Sequence, residues 1–225
     1  MQLKKYMQTN FPGLTLKPNL TSEWKPSLHL ELAKGLYPFK EGSDELNPVY
    51  FQTVYHQAIS LFHDLFSAED EILLVMNSYR YKKERRKKRR KLGVYLHYIK
   101  SKDVRSRLTQ ATLPYMFEDD EEKEEKYTCQ FSLRCRKQDI RYSILIKAIC
   151  NQDFPPLKPS IHNPSNLEEP DIFFMNTTRN IIFYMYDDRG CEVIARDREA
   201  IRPIYEKYAD WMDEINRAEI DQYFT

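Results

Sequence analysis

Apolar residues recur along this chain with two alternating rhythms. In 27-SLHLELA-33, Leu28, Leu30 and Leu32 alternate with Ser27, His29 and Glu31, the period of a strand with one wet face. The rhythm then lengthens. In 47-NPVYFQTVYHQAISLFHDLFS-67, Phe51, Val54, Ala58, Leu61, Phe62 and Leu65 recur at helical spacing, with Asn47 suited to the N-cap and Pro48 to the first helical position. Ile72 to Met76 is continuously apolar, which predicts a strand covered on both faces, and 127-YTCQFSLRC-135 alternates again. A second core helix is predicted over 139-DIRYSILIKAIC-150, capped by Asp139.

Three short strands close the pattern: 172-IFFMN-176, 181-IIFYMY-186 and 191-CEVIA-195, joined by tight polar turns, read as an antiparallel meander. Pro203 resets the chain for a helix whose apolar stripe is Ile204, Tyr208, Trp211, Met212 and Ile215. Segment 151–170, with five prolines, is a long loop and a candidate binding loop. These elements predict one α+β domain over residues 1–225. Its mainly antiparallel sheet has about six strands, ends in the three-strand meander and is flanked by helices.

A length of 225 residues allows a substantial core, and 41% hydrophobic content is globular in composition. The net charge of +1 names no partner. No apolar run approaches the roughly 20 residues that span a bilayer, so no membrane partner is expected. Cys129, Cys135, Cys150 and Cys191 show no metal-ligand spacing, and the first residues lack an apolar leader, which together predict a reduced, cytoplasmic protein.

Charge is concentrated in two opposed runs. The first holds Lys82, Lys83, Arg85, Arg86, Lys87, Lys88, Arg89, Arg90 and Lys91 around one glutamate, a density that could bind nucleic-acid phosphates. No aromatic residue interrupts it to stack on a base, and no helix-turn-helix or RNA-binding motif follows. The second run, 118-EDDEEKEE-125, has seven acids and one lysine and could neutralise the first. Neither run has enough apolar surface to offset ordering entropy, so 80–92 and 118–126 are expected to be mobile loops.

Catalytic chemistry finds little material. His56 and His63 share a helix but sit seven residues apart, about 10 Å, too far for one metal. Walker, G-x-G-x-x-G and G-x-S-x-G patterns are missing, so no cofactor is expected. Cys150 with His162 can be drawn as a nucleophile pair, although a helix-buried cysteine is far more often inert packing. The pair Asp187 and Asp188 in 184-YMYDDRGCEVIARD-197 could hold divalent cations if a neighbouring strand supplied a third carboxylate, and only Glu192 is offered. A turn accounts for each residue instead: the aspartates bond their own backbone, and Gly190 supplies a positive φ. No metal is expected there.

The run YDDRGCEVIARD followed by RPIYEKYADWM resembles an uncharacterised family of Bacillus-type Firmicutes known only as a domain of unknown function. The likeness extends through 8-QTNFPGLTLKP-18, VYHQAISLF, 113-LPYMFEDD-120, QFSL, 139-DIRY-142 and 148-AICNQDFP-155, and is interrupted at the basic run and at 163-NPSNLEEPD-171. It implies placement without a mechanism. Proteins of similar build in such bacteria are often immunity or antitoxin partners of toxins; with no catalytic constellation, no cofactor motif and an acidic surface, a protein-binding role is expected here rather than an enzyme. The partner expected is a toxin-like protein with a basic surface, contacted by Glu118, Asp119, Asp120, Glu121, Asp187, Asp188, Arg189, Asp210 and Asp213. The alternatives are a nucleic-acid-associated protein using the basic run and an orphan metal-dependent enzyme at Asp187, Asp188 and Glu192.

Overall fold

The computed structural model describes residues 3–84, 93–162, 167 and 169–224. In chain order the elements are α1 (Leu3–Asn10), α2 (Leu20–Glu23), β1 (Ser27–Glu31), α3 (Pro48–Leu65) and β2 (Glu71–Tyr81). Next come α4 (Gly93–Tyr98), α5 (Lys102–Ser106), β3 (Thr109–Pro114), β4 (Lys126–Arg136) and α6 (Tyr142–Cys150). The chain finishes with β5 (Asp171–Asn176), β6 (Ile181–Met185), β7 (Gly190–Ala195), α7 (Arg202–Lys207) and α8 (Arg217–Phe224). The seven strands of the described residues form one antiparallel sheet in the order β1-β7-β6-β5-β2-β4-β3. The architecture is α+β, as the alternating rhythms predict, and the meander β5-β6-β7 is confirmed.

The seventh strand is β3. Its residues are exposed or, at Leu113, half-buried, so no alternation marks it in the sequence; its place is set by pairing with β4, Thr109 opposite Ser132 through Pro114 opposite Tyr127. β2 extends beyond the apolar run to Tyr81 and is paired along its whole length with β4.

Two cores sandwich the sheet. On one face, Leu28, Leu74, Leu133, Phe174 and Phe183 pack against α3 and α6 through Val54, Leu61, Phe62, Ile146 and Ile149. On the other, Leu73, Val75, Phe173, Met175, Ile182 and Ile194 are covered by the N-terminal arm through Tyr6, Phe11, Leu16 and Leu20. This double coverage is why the central strands are continuously apolar. Asn47 caps α3 by accepting from the Val49 N–H at 3.1 Å, with Pro48 in the first turn.

The second core helix starts later than predicted. Asp139 closes a short 3₁₀ turn, Lys137–Asp139, by accepting from Arg136 N–H at 2.8 Å. Ile140 then bridges to Ile99, and Arg141 N–H bonds the Tyr98 carbonyl, so α6 begins only at Tyr142. Among the described residues no helix is long and apolar enough to cross a membrane.

Candidate functional site

Antiparallel pairing sends five connections to one end of the sheet: 32–47, the chain leaving β2, 115–125, the chain leaving α6, and the turn 186–189. The turn is built from its aspartates. Asp187 accepts from the backbone N–H of Arg189 at 2.7 Å and from its guanidinium Nε at 2.9 Å, with a further bond from Nη2. This Asx-turn, with an ion pair in which both guanidinium donors meet Oδ2 while Oδ1 takes the backbone N–H, satisfies a carboxylate that is only 3% exposed. Asp188, equally buried, accepts from the Tyr50 hydroxyl of α3 at 2.6 Å, so the turn is tied to the helix layer.

Gly190 is not in the left-handed region, which corrects the positive-φ expectation. Its reason is crowding: a Cβ there would lie 2.5 Å from the Leu30 carbonyl oxygen and would collide with the Tyr186 hydroxyl. That hydroxyl is itself placed by His29, 3.0 Å away, whose other nitrogen faces Asp213 at 3.4 Å.

The third carboxylate of the cluster comes from an unexpected place. Glu192 points to the other face of the sheet, where it accepts from the Leu20 N–H at 2.8 Å and the Thr21 hydroxyl at 3.0 Å and holds α2 down. Asp153, in the turn after α6, instead brings a carboxylate oxygen within 4.8 Å of those of Asp187 and Asp188. Gln152 supports this placement by donating to the Tyr186 carbonyl at 2.8 Å. Sequence spacing could not have shown it, because α6 and the meander meet only in the folded sheet. Burial raises the Asp188 carboxyl above the usual range; the Tyr50 hydrogen bond opposes this and the neighbouring Asp187 adds to it. Burial and Asp187 likewise raise Asp153, with Arg189 and His162 opposing. Among the described residues these three could hold a cation, although Asp187 is already occupied by Arg189.

Several expected contact residues are corrected. Asp187, Asp188 and Asp213 are all buried, so they are not available as partner-facing charges; Asp187 and Asp213 are taken up by bonds within their own turns and Asp188 by the Tyr50 hydroxyl of α3. Glu118, Asp119, Glu121, Arg189 and Asp210 are exposed. Asp120 is half-buried and bonds Lys126 at 2.6 Å. The acidic segment lies between β3 and β4, while the DDRG turn lies between β6 and β7, so the two do not form one patch.

Of the basic run, Lys82 donates to the Glu124 carbonyl and Lys83 sits over the Tyr81 ring at 4.5 Å. Arg85, Arg86, Lys87, Lys88, Arg89, Arg90 and Lys91 lie outside the described residues. Cys150 is fully buried, and burial drives its thiol well above the ordinary range. His162 pairs with Glu169 at 2.7 Å. A low-pKa thiolate at Cys150 is thus absent.

A surface that the charge pattern does not reveal adjoins the turn. Loop 32–47 exposes Leu36, Tyr37 and Phe39, and Val49 stands beside it on the first turn of α3. The loop is pinned by Ala33 N–H to Gln57 at 2.6 Å, by Asn47 N–H to the Pro38 carbonyl at 2.8 Å, and by the Phe39–Leu46 bridge. Phe39 contacts Phe154, which packs edge-on against Phe51 at 4.8 Å, linking the loop to the residue following Asp153.

The family described as a domain of unknown function, DUF3885, matches residues 3–216 of this chain. The chain is similar to an uncharacterised protein, YnaE, of Bacillus subtilis (strain 168): 43% identity over 215 residues, covering 95% of this chain and 98% of that protein. No solved structure matches.

Proposed function

The chain belongs to the DUF3885 family, and from that premise we propose that it is a cytoplasmic protein-binding module that takes its partner on the loop end of the sheet, around Tyr37. One observation carries the reading: Leu36, Tyr37, Phe39 and Val49 are 38%, 76%, 46% and 59% exposed on a hydrogen-bonded loop and helix start. Large apolar side chains gathered on a surface mark interaction sites, and tyrosine is among the residue types that dominate binding hot spots. Glu41 and Asp44 are exposed polar residues of the same loop. Because the loop is already pinned, little ordering entropy opposes binding.

In its specific form the module is an immunity protein or antitoxin that covers a basic toxin surface. The exposed Glu118, Asp119, Glu121 and Asp210 support that form through electrostatic steering. The test is co-expression with the products of adjacent genes, scored by growth rescue and by co-purification. Rescue and capture that are lost in Tyr37→Asp, with the variant still folded, are expected. Capture that is unchanged by Tyr37→Asp and Phe39→Asp overturns the reading.

A second reading draws on the third carboxylate. Asp153, Asp187 and Asp188 together offer three carboxylate oxygens of the kind a hard divalent cation takes, provided Arg189 swings away from Asp187. Calorimetry with Mg²⁺ and Mn²⁺ decides it: micromolar binding lost in Asp153→Asn establishes a cation centre, and no heat at millimolar metal removes it.

A further inference from the structure

The sheet has two edges, and they are treated differently. The outer edge of β1 is closed: Met212 bridges to Leu30, and Asp213 N–H donates to the His29 carbonyl at 3.0 Å. The outer edge of β3 is open, since among the described residues β3 pairs with β4 alone. Its sequence, Thr109-Gln110-Ala111-Thr112-Leu113-Pro114, carries no charge, and five of its six residues are exposed. Natural edge strands are normally blunted by lysines, inward charges or a covering loop, because unpaired N–H and C=O groups template another strand. Only Pro114, at the very end, serves that purpose here.

Charge flanks this neutral strand asymmetrically. Before it, 100-KSKDVRSR-107 holds four cations and one acid; after it, 118-EDDEEKEE-125 holds seven acids and one lysine. Lys102 and Arg107 are exposed on the first side, and Glu118, Asp119, Glu121, Glu122, Glu124 and Glu125 on the second. Six residues of strand separate the two groups by about 20 Å, beyond the roughly 8 Å over which charges interact at physiological salt. The two groups are therefore screened from each other along the strand.

We infer that β3 is a dimerisation edge, pairing antiparallel with β3 of a second copy across a twofold axis at Ala111, which lies opposite its own counterpart. That register places Thr109 of each copy opposite Leu113 of the other, leaves Pro114 beyond the paired residues, and makes one continuous fourteen-stranded sheet from two copies of the seven-stranded one. It brings the cationic end of each copy against the acidic end of the other, twice, as an isologous contact requires. Parallel pairing would set like charge against like at both ends and is disfavoured. The strand pair alone covers little surface, so the two charged flanks supply much of the specificity, and the dimer is salt-sensitive. The interface is separate from the Tyr37 surface.

Sedimentation equilibrium of the full chain over micromolar to submillimolar concentrations tests the inference. A monomer–dimer equilibrium is expected that weakens about tenfold or more when added salt shortens the screening length. Ala111→Lys with Thr112→Lys, which sets like charges across the axis, abolishes the dimer while circular dichroism stays unchanged. Lys102→Glu with Arg107→Glu also gives a monomer, as does Glu118→Lys with Asp119→Lys, yet mixing these two variants restores a heterodimer. Tyr37→Asp leaves dimerisation intact. A monomer at every concentration and salt, a dimer indifferent to the Ala111 and Thr112 changes, or no heterodimer on mixing would overturn the inference.

Discussion

Replacing Gly190 by alanine tests the reasoning most directly, because two explanations for this glycine predict different outcomes. If the turn needed a left-handed residue, asparagine would be tolerated and alanine would cost about 1 kcal/mol. The backbone is not left-handed there, and the added methyl instead meets the Leu30 carbonyl oxygen at 2.5 Å and Tyr186 Cζ at 2.9 Å. Carbon–oxygen contacts between neighbouring strands settle near 3.3 to 3.6 Å, so the two must separate by roughly 1 Å. Leu30 pairs with Cys191 and Glu31 with Gly190, and this rigid ladder cannot yield without loss. Forcing a methyl into such a place costs roughly 1–3 kcal/mol, and displacing the Tyr186 hydroxyl from His29 adds about 0.5–1.5 kcal/mol. Gly190→Ala should therefore destabilise by about 2–4 kcal/mol, and Gly190→Asn by at least as much. Urea unfolding followed by far-ultraviolet circular dichroism measures both. In a Tyr186→Phe background only the hydroxyl's share should be recovered, since the Leu30 carbonyl stays in place. A Gly190→Ala protein within about 0.5 kcal/mol of the parent, or an asparagine variant more stable than the alanine one, refutes the crowding account.

Other expectations follow from the same geometry. Asp188 titrates above an ordinary carboxylate in the fold, so the folded state holds its proton more tightly than the unfolded chain. Its contribution to stability is thus greatest in acid and falls as pH rises from about 4 through the folded pKa. Asp188→Asn, which can still accept from Tyr50, should flatten that fall in melting temperature between acid and neutral pH; a variant that melts well below the parent at neutral pH contradicts this. Glu192→Ala strips the Leu20 N–H of its buried acceptor and should cost about 1–3 kcal/mol, with hydrogen exchange rising first in α1 and α2; unchanged exchange in those helices would show that the arm is held otherwise. Tyr37→Ala removes a mostly exposed ring and should leave unfolding within about 0.5 kcal/mol of the parent, so that any lost binding reports on contact rather than on folding.

What the sequence determined by itself was the set of elements whose burial is periodic. α3 was legible because Phe51, Val54, Ala58, Leu61, Phe62 and Leu65 all face one core and Asn47 has a local partner two residues away. The meander was legible because its turns are short and their hydrogen bonds local, as in the Asp187 turn. β3 was invisible because an exposed edge strand has no burial rhythm, and its conformation comes from β4, not from its own residues. The N-terminal arm was equally hidden: Tyr6, Phe11, Leu16 and Leu20 are buried by the far face of the sheet, more than fifty residues away in sequence. The candidate site divided along the same line. Asp187 and Asp188 could be picked out as a turn, but burial, which withdraws them from the surface, and Asp153, which joins them, come from packing of α3 and the α6 turn on the meander. Gly190 shows the division within one residue: the need for glycine was readable, and its cause was not, since crowding by Leu30 and Tyr186 arises only when β1 closes on β7. Local bonding and periodicity are written in neighbouring residues, whereas long-range contact is decided by which faces remain apolar after the neighbouring elements have packed.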